Sequence, residues 1–190
     1  MGLNLPNLIT WGRILMIPLL LLVYYLPDHW IGEHGQNVVA AAIFGFAAVT
    51  DWLDGYLARS LKQTSAFGAF LDPVADKLMV ATALILLAWL GNVEAFIAAI
   101  IIGREIAISA LREWMAKLGE SKSVAVSFIG KLKTTVQMIA ILLLLYHDPI
   151  WWLDTHLIGT VLIYIAAILT LWSMVYYLRK ALPQVRDAMK

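Results

Sequence analysis

The sequence predicts an all-α, polytopic membrane protein with six transmembrane helices, and three observations carry that reading. Of its 190 residues, 62% are hydrophobic and 14% charged, with a mean hydropathy of +0.80, whereas a soluble domain is about half apolar and a quarter charged. So large an apolar excess does not fit inside one small core, so much of it faces something other than water. The apolar residues fall into six segments, each close to the roughly 20 residues a helix needs to cross about 30 Å of hydrocarbon. Finally, the connections from Pro27 to Gln36, Gly91 to Asn92 and His147 to Trp151 hold no Lys or Arg.

The first segment, 5–26, opens with Pro6, where a missing N–H costs a helix little. No small-residue cleavage site follows it, and Pro6 occupies the Ser/Thr position of a myristoylation signal, so the segment is expected to be retained. The second and third segments, 37–60 and 66–90, are apolar at their distant halves and polar at their connected ends. Segments 93–118, 123–146 and 150–180 complete the set. With six spans, all fourteen Lys and Arg residues, from Arg13 to Lys190, fall on one side. The positive-inside rule makes that side cytoplasmic and puts both termini there. Trp30, Trp89, Trp151 and Trp152 then lie at the outer interface, and Trp11, Trp52 and Trp114 near the inner one. No linker, repeat or low-complexity stretch interrupts the chain, so residues 1–190 read as one domain. A net charge of +1 argues against nucleic acid as a partner, and the absence of cysteine excludes disulfides and thiolate metal sites.

The polar ends of the second and third segments carry Asp51, Asp54, Asp72 and Asp76. On a helix, positions 51, 54, 55, 58 and 59 share one face, as do 68, 72 and 76. The short connection makes the two helices antiparallel neighbours, which lets those faces meet. At 1.5 Å per residue, Asp76 lies about 21 Å from Leu90 and Asp51 about 20 Å from Val38, placing the acids below the inner interface. Ionised groups at that depth cost several kcal/mol each unless paired or metal-bound. Arg59 alone cannot neutralise four acids. The set calls for divalent cations, and all-oxygen ligation favours Mg²⁺ or Mn²⁺ over zinc. His29, His34, His147 and His156 all lie on the outer side. Gly55, Ala58 and Gly68 beside the acids either leave room for a ligand or let the helices pack closely.

The fourth segment carries Arg104 and Arg112, eight residues apart and therefore nearly on one face. With Lys131 and Lys133 of the fifth, they are candidates to hold an anion such as phosphate, or else to anchor the helices at lipid phosphates and pair locally with Glu105 and Glu113. Asn7, Thr10 and Arg13 recur at a three-residue step and are candidates to line the same cavity, or to cap and anchor the first helix.

The string Asp51-x2-Asp54-Gly55-x2-Ala58-Arg59-x8-Gly68-x3-Asp72-x3-Asp76 resembles the signature of the CDP-alcohol phosphatidyltransferases at all eight specified positions. Asn4 to Thr10, Gly103 to Ala116 and Lys131-Leu-Lys133-Thr extend the likeness over most of the chain, toward the bacterial branch whose acceptor is sn-glycerol 3-phosphate. The resemblance implies a six-helix CDP-alcohol phosphotransferase fold, usually dimeric, in a bacterial cytoplasmic membrane with its site facing the cytoplasm. It implies transfer of the phosphatidyl group of CDP-diacylglycerol to the acceptor with release of CMP, in anionic phospholipid biosynthesis. By the same resemblance Asp51, Asp54 and Asp72 bind metal, two ions being expected, and Asp76 binds metal or acts as the base. Asp54, Gly55, Ala58, Arg59 and Gly68 would contact CDP-diacylglycerol, and Arg104, Arg112, Lys131 and Lys133 the acceptor's phosphate.

Two other functions compete. Acids inside spans also mark cation transporters, but a transport pathway continues past the midplane. Here Val38 to Val49 and Leu78 to Leu90 hold no ionisable residue. A sibling transferase would use phosphatidylglycerol or inositol phosphate as its acceptor.

Overall fold

The computed structural model describes residues 5–27, 29–61, 66–117 and 128–188. Within them, the side chains of 5–8, 52, 54–61, 66, 67, 69, 128, 129, 131, 180, 181 and 183–188 lie outside the description. Six helices follow one another: α1 (Leu5–Leu22), α2 (Glu33–Leu61), α3 (Ala66–Trp89), α4 (Ala95–Lys117), α5 (Phe128–Tyr146) and α6 (Thr155–Ala188). Among the described residues there is no strand beyond one isolated bridge, Ile150 to Leu153.

Several helix ends differ from the hydropathy boundaries, for local reasons. α1 stops at Leu22 and tightens into a 3₁₀ turn over Val23–Tyr25. α2 begins at Glu33, because its polar first turn is helical although it is not apolar. Residues 150–154 are a turn, and α6 starts only at Thr155, where the Asp154 carboxylate accepts a hydrogen bond from the Leu157 amide at 2.9 Å, as a helix N-cap does. The segment expected from 123 is described only from Phe128. α3 closes through Gly91, which takes the left-handed φ of +79°. The Asn92 amide bonds to the Leu87 carbonyl and the Gly91 amide to that of Ala88, the double bond that ends a helix on a glycine.

The helices bury an apolar cluster at the end of the bundle that holds these turns. Phe44 and Ala40 of α2, Leu84 and Leu87 of α3, Ile101 of α4 and Leu144 of α5 are among its buried members. α5 and α6 pack most extensively, and Gly159 permits it: a Cβ there would lie 2.8 Å from Leu144 Cγ. α1 lies against α2 and α3, and α4 against α3 and α6. A second, small cluster of Ile108, Met115 and Tyr177 joins α4 to α6 toward the opposite end. Much of the outer surface is apolar, including Leu15, Phe46, Ile85, Ile106 and Trp172. Among the described residues one helix, Thr155–Arg179, is long and apolar enough to cross a membrane, with a mean hydropathy of 2.1. In α3, Asp72, Asp76 and Lys77 interrupt the apolar run.

Candidate active site

At the end of the bundle opposite the main apolar cluster, α2 to α5 surround a cavity of about 390 Å³. Its walls differ in sign. Asp51 of α2 and Asp72 and Asp76 of α3 form an acidic side; Arg104 and Arg112 of α4 and Lys133 of α5 form a basic side. Lys77, Glu105, Pro73, Gly130 and Thr134 complete the lining. The helical spacing explains the arrangement. Asp72 and Asp76 are one turn apart, Arg104 and Arg112 just over two, and Gly130, Lys133 and Thr134 lie on one face of α5. Pro73 has no N–H to give to the carbonyl four residues back, so the acidic wall sits where the α3 ladder is already broken.

α1 supports the acidic wall from behind. Arg13, with 1% of its surface exposed, donates from Nη1 to Asp51 Oδ1 at 2.8 Å. Buried Thr10 donates from Oγ1 to Asp72 Oδ1 at 2.5 Å. Two expectations change as a result. Thr10 and Arg13 do not line the cavity; they hold the acids that do. And Arg59 is not the only arginine available to the acids, because α1 packs against both α2 and α3 and delivers a second, which spacing within those two segments could not reveal. The side chain of Asn7 lies outside the described residues, as do those of Asp54, Gly55, Ala58, Arg59 and Lys131. Gly68 is buried on α3.

The basic wall is built around Glu105. Its Oε1 accepts from Arg104 Nη1 at 3.3 Å and from Lys133 Nζ. Lys133 and Arg104 are 2% and 6% exposed, so neither behaves as a surface anchor, and the alternative of lipid-phosphate anchoring falls for both. Local pairing holds in part: Glu105 does pair with Arg104, but Glu113 pairs with Lys117. Arg104 Nη2 also donates to Ser173 Oγ at 2.8 Å, and Arg112 Nη2 to the Tyr177 hydroxyl at 3.4 Å. The Nε atoms of Arg104 and Arg112 are buried without a hydrogen-bond partner among the described residues. Buried donors of this kind suit an anion that brings several acceptor oxygens.

The described acids offer oxygen ligands alone, the chemistry that magnesium and manganese take. Among the described residues no three acidic or histidine side chains are gathered closely enough to hold one ion between them. Asp51 and Asp72 each have one oxygen engaged by α1. A larger cavity, about 530 Å³, lies at the opposite end, lined by Tyr24, Glu33, Gln36, Asn37, Trp89 and His147 among others. Its described lining has one carboxylate and no Lys or Arg, so size does not make it the reactive site.

The family model of CDP-alcohol phosphatidyltransferase matches residues 3–172, which include every residue of both walls. The chain belongs to the CDP-alcohol phosphatidyltransferase family. Relatives within this family are close over the whole length. The chain is 50% identical to the CDP-diacylglycerol–glycerol-3-phosphate 3-phosphatidyltransferase of Escherichia coli (strain K12), covering 98% of this chain and 100% of that one. It is equally similar, over the same shares, to the protein of that name from Shigella flexneri serotype 5b (strain 8401), and 49% identical to that from Salmonella choleraesuis (strain SC-B67). For a CDP-alcohol phosphatidyltransferase, the two-sided cavity places the acidic wall inside the family's signature segment and the basic wall outside it.

Proposed function

We propose that this protein transfers the phosphatidyl group of CDP-diacylglycerol to sn-glycerol 3-phosphate, releasing CMP, within a bacterial cytoplasmic membrane. The observation that carries the reading is the cavity with carboxylates on one wall and buried guanidinium and ammonium groups on the other. A transferase joining a diphosphate donor to a phosphorylated alcohol has two anionic substrates, and each needs its own counter-charge. The relatives' shared name supports the same pair of substrates.

In this account Arg104, Arg112, Lys131 and Lys133 hold the acceptor's phosphate, the arginines through bidentate forks and the lysines as point charges. The acceptor hydroxyl is thereby turned toward Asp76. As its oxygen bonds to the phosphatidyl phosphorus, the phosphorus–oxygen bond to CMP breaks, and the hydroxyl proton passes to Asp76. A carboxylate removes such a proton only as the new bond acidifies it. Asp54, Gly55, Ala58, Arg59 and Gly68 receive the donor. Two divalent cations, magnesium or manganese, held by Asp51, Asp54, Asp72 and Asp76, would neutralise the diphosphate and the departing oxygen.

The membrane setting follows from the apolar exterior, which exceeds what a soluble monomer tolerates, and from the confinement of Lys and Arg to one side. A donor with acyl chains keeps them in the lipid while its diphosphate reaches the level of the acids. Both termini lie in the cytoplasm, and the family's usual dimer is the expected assembly. Transport is disfavoured because the apolar cluster of Phe44, Leu84, Leu87 and Ile101 fills the bundle beyond the acids. The test supplies purified protein and labelled CDP-diacylglycerol with glycerol 3-phosphate, phosphatidylglycerol or inositol phosphate in turn, and identifies the lipid formed. Phosphatidylglycerophosphate from the first alone is expected; a product from either other acceptor at a higher rate reassigns the substrate.

A further inference from the structure

The two arginines of the basic wall are held from behind by α6, a helix with no residue among the described lining of the cavity. Tyr177 is fully buried, and the guanidinium carbons of both Arg104 and Arg112 lie over its ring, at 5.8 and 5.3 Å from the centroid. On α4 the two arginines stand about 12 Å apart along the axis, yet one ring serves both. Its electron-rich face attracts each cation and offsets their repulsion. Its hydroxyl accepts from Arg112 Nη2. One turn earlier, Ser173 spends its single hydroxyl hydrogen on the Thr170 carbonyl at 3.0 Å. Its oxygen is therefore left as an acceptor, and Arg104 Nη2 donates to it at 2.8 Å. Thr170, Ser173 and Tyr177 follow the i, i+3, i+7 spacing of one helical face and are all buried.

We propose that Ser173 and Tyr177 are positioning residues that fix the two guanidinium groups in the spacing a phosphomonoester acceptor requires, and so set affinity for the acceptor without touching it. This rests on the assignment of Arg104 and Arg112 to the acceptor's phosphate. An arginine side chain has many rotamers, and each one that must be ordered on binding weakens binding. Here the ordering is done in the fold. The donor, on the acidic wall, gains nothing from α6.

The test compares Tyr177→Phe, Tyr177→Leu and Ser173→Ala with Arg104→Ala and Arg112→Ala in the purified full-length protein. KM for glycerol phosphate, KM for CDP-diacylglycerol and inhibition by inorganic phosphate are read for each. Tyr177→Leu should raise acceptor KM and the phosphate inhibition constant together by about tenfold, the loss expected for a desolvated cation–π contact. Tyr177→Phe keeps the ring and should stay within about threefold of the parent. Ser173→Ala, which removes one oxygen atom, should raise both constants about fivefold. Donor KM should move by less than twofold throughout. Equal shifts in both KM values, or lowered thermal stability with unchanged acceptor KM, would overturn the positioning role. If the arginine variants leave acceptor KM alone, the acceptor site itself is misassigned; if they raise it and the α6 variants do not, only this inference fails.

Discussion

The contact of α5 with α6 at Gly159 gives a prediction whose size can be worked from distances. Replacing Gly159 by Ala adds a Cβ 2.8 Å from Leu144 Cγ, 3.1 Å from its Cδ2 and 3.2 Å from its backbone nitrogen. Carbon atoms sit comfortably at about 3.5–4.0 Å, so about 0.7 Å must be found between α5 and α6. The Leu144 side chain is fully buried and has nowhere to turn, and its nitrogen moves only with the helix. Overpacking of this kind costs about 1–3 kcal/mol, which for a chain of this size lowers Tm by roughly 2–12 °C. Thermal unfolding of the purified protein in detergent is the assay. Leu144→Ala alone should cost about 2–5 kcal/mol, but it removes two of the three clashing atoms. The double variant should therefore be less destabilised than the two single effects combined, by at least about 1 kcal/mol. Lys133 lies about 16 Å from Leu144 along α5, so KM for either substrate should hold in the surviving enzyme. A neutral Gly159→Ala, or strict additivity with Leu144→Ala, would refute the packing argument.

The remaining predictions concern the cavity. Asp76→Asn should lower turnover by at least about a hundredfold, the scale of a lost general base, while CDP-diacylglycerol still binds; wild-type-like turnover would remove Asp76 from that role. Arg112→Ala should raise acceptor KM about tenfold to a hundredfold, as loss of a charge-assisted contact does, with donor KM nearly unchanged, measured by varying each substrate in turn. Thr10→Val removes the hydrogen bond to Asp72 without changing shape. It should raise the divalent-cation concentration for half-maximal turnover about tenfold, and an unchanged cation requirement would make Thr10 merely a packing residue.

Much of the fold and the acidic wall is legible in the sequence because both rest on helical periodicity. Six apolar runs give six helices, and the i, i+4 spacing of Asp72 and Asp76 places both on one cavity wall. Boundaries were harder. The polar first turn of α2 is helical because backbone hydrogen bonding, not hydropathy, sets helix ends, and residues 150–154 are apolar yet form a turn. What periodicity along one helix cannot show is which third helix crosses a pair. Arg13 and Thr10 therefore read as cavity-lining candidates, although α1 uses them to hold Asp51 and Asp72. Glu105 was visible as a neighbour of Arg104, but its bond to Lys133 joins positions 28 residues apart. Tyr177 and Ser173 left a trace, since with Thr170 they make a polar stripe on the apolar stretch of α6 before Arg179. A stripe of that kind gives no hint that its partners are two arginines of α4.

The most direct measurement is turnover before and after removal of divalent cations. Purified protein with CDP-diacylglycerol and glycerol 3-phosphate should form phosphatidylglycerophosphate and CMP in equal amounts. Product formation should stop after thorough chelation with EDTA and return when magnesium or manganese is added in excess. Undiminished synthesis in the chelated sample would contradict the account, because the carboxylates lining this cavity would then have no ion to hold.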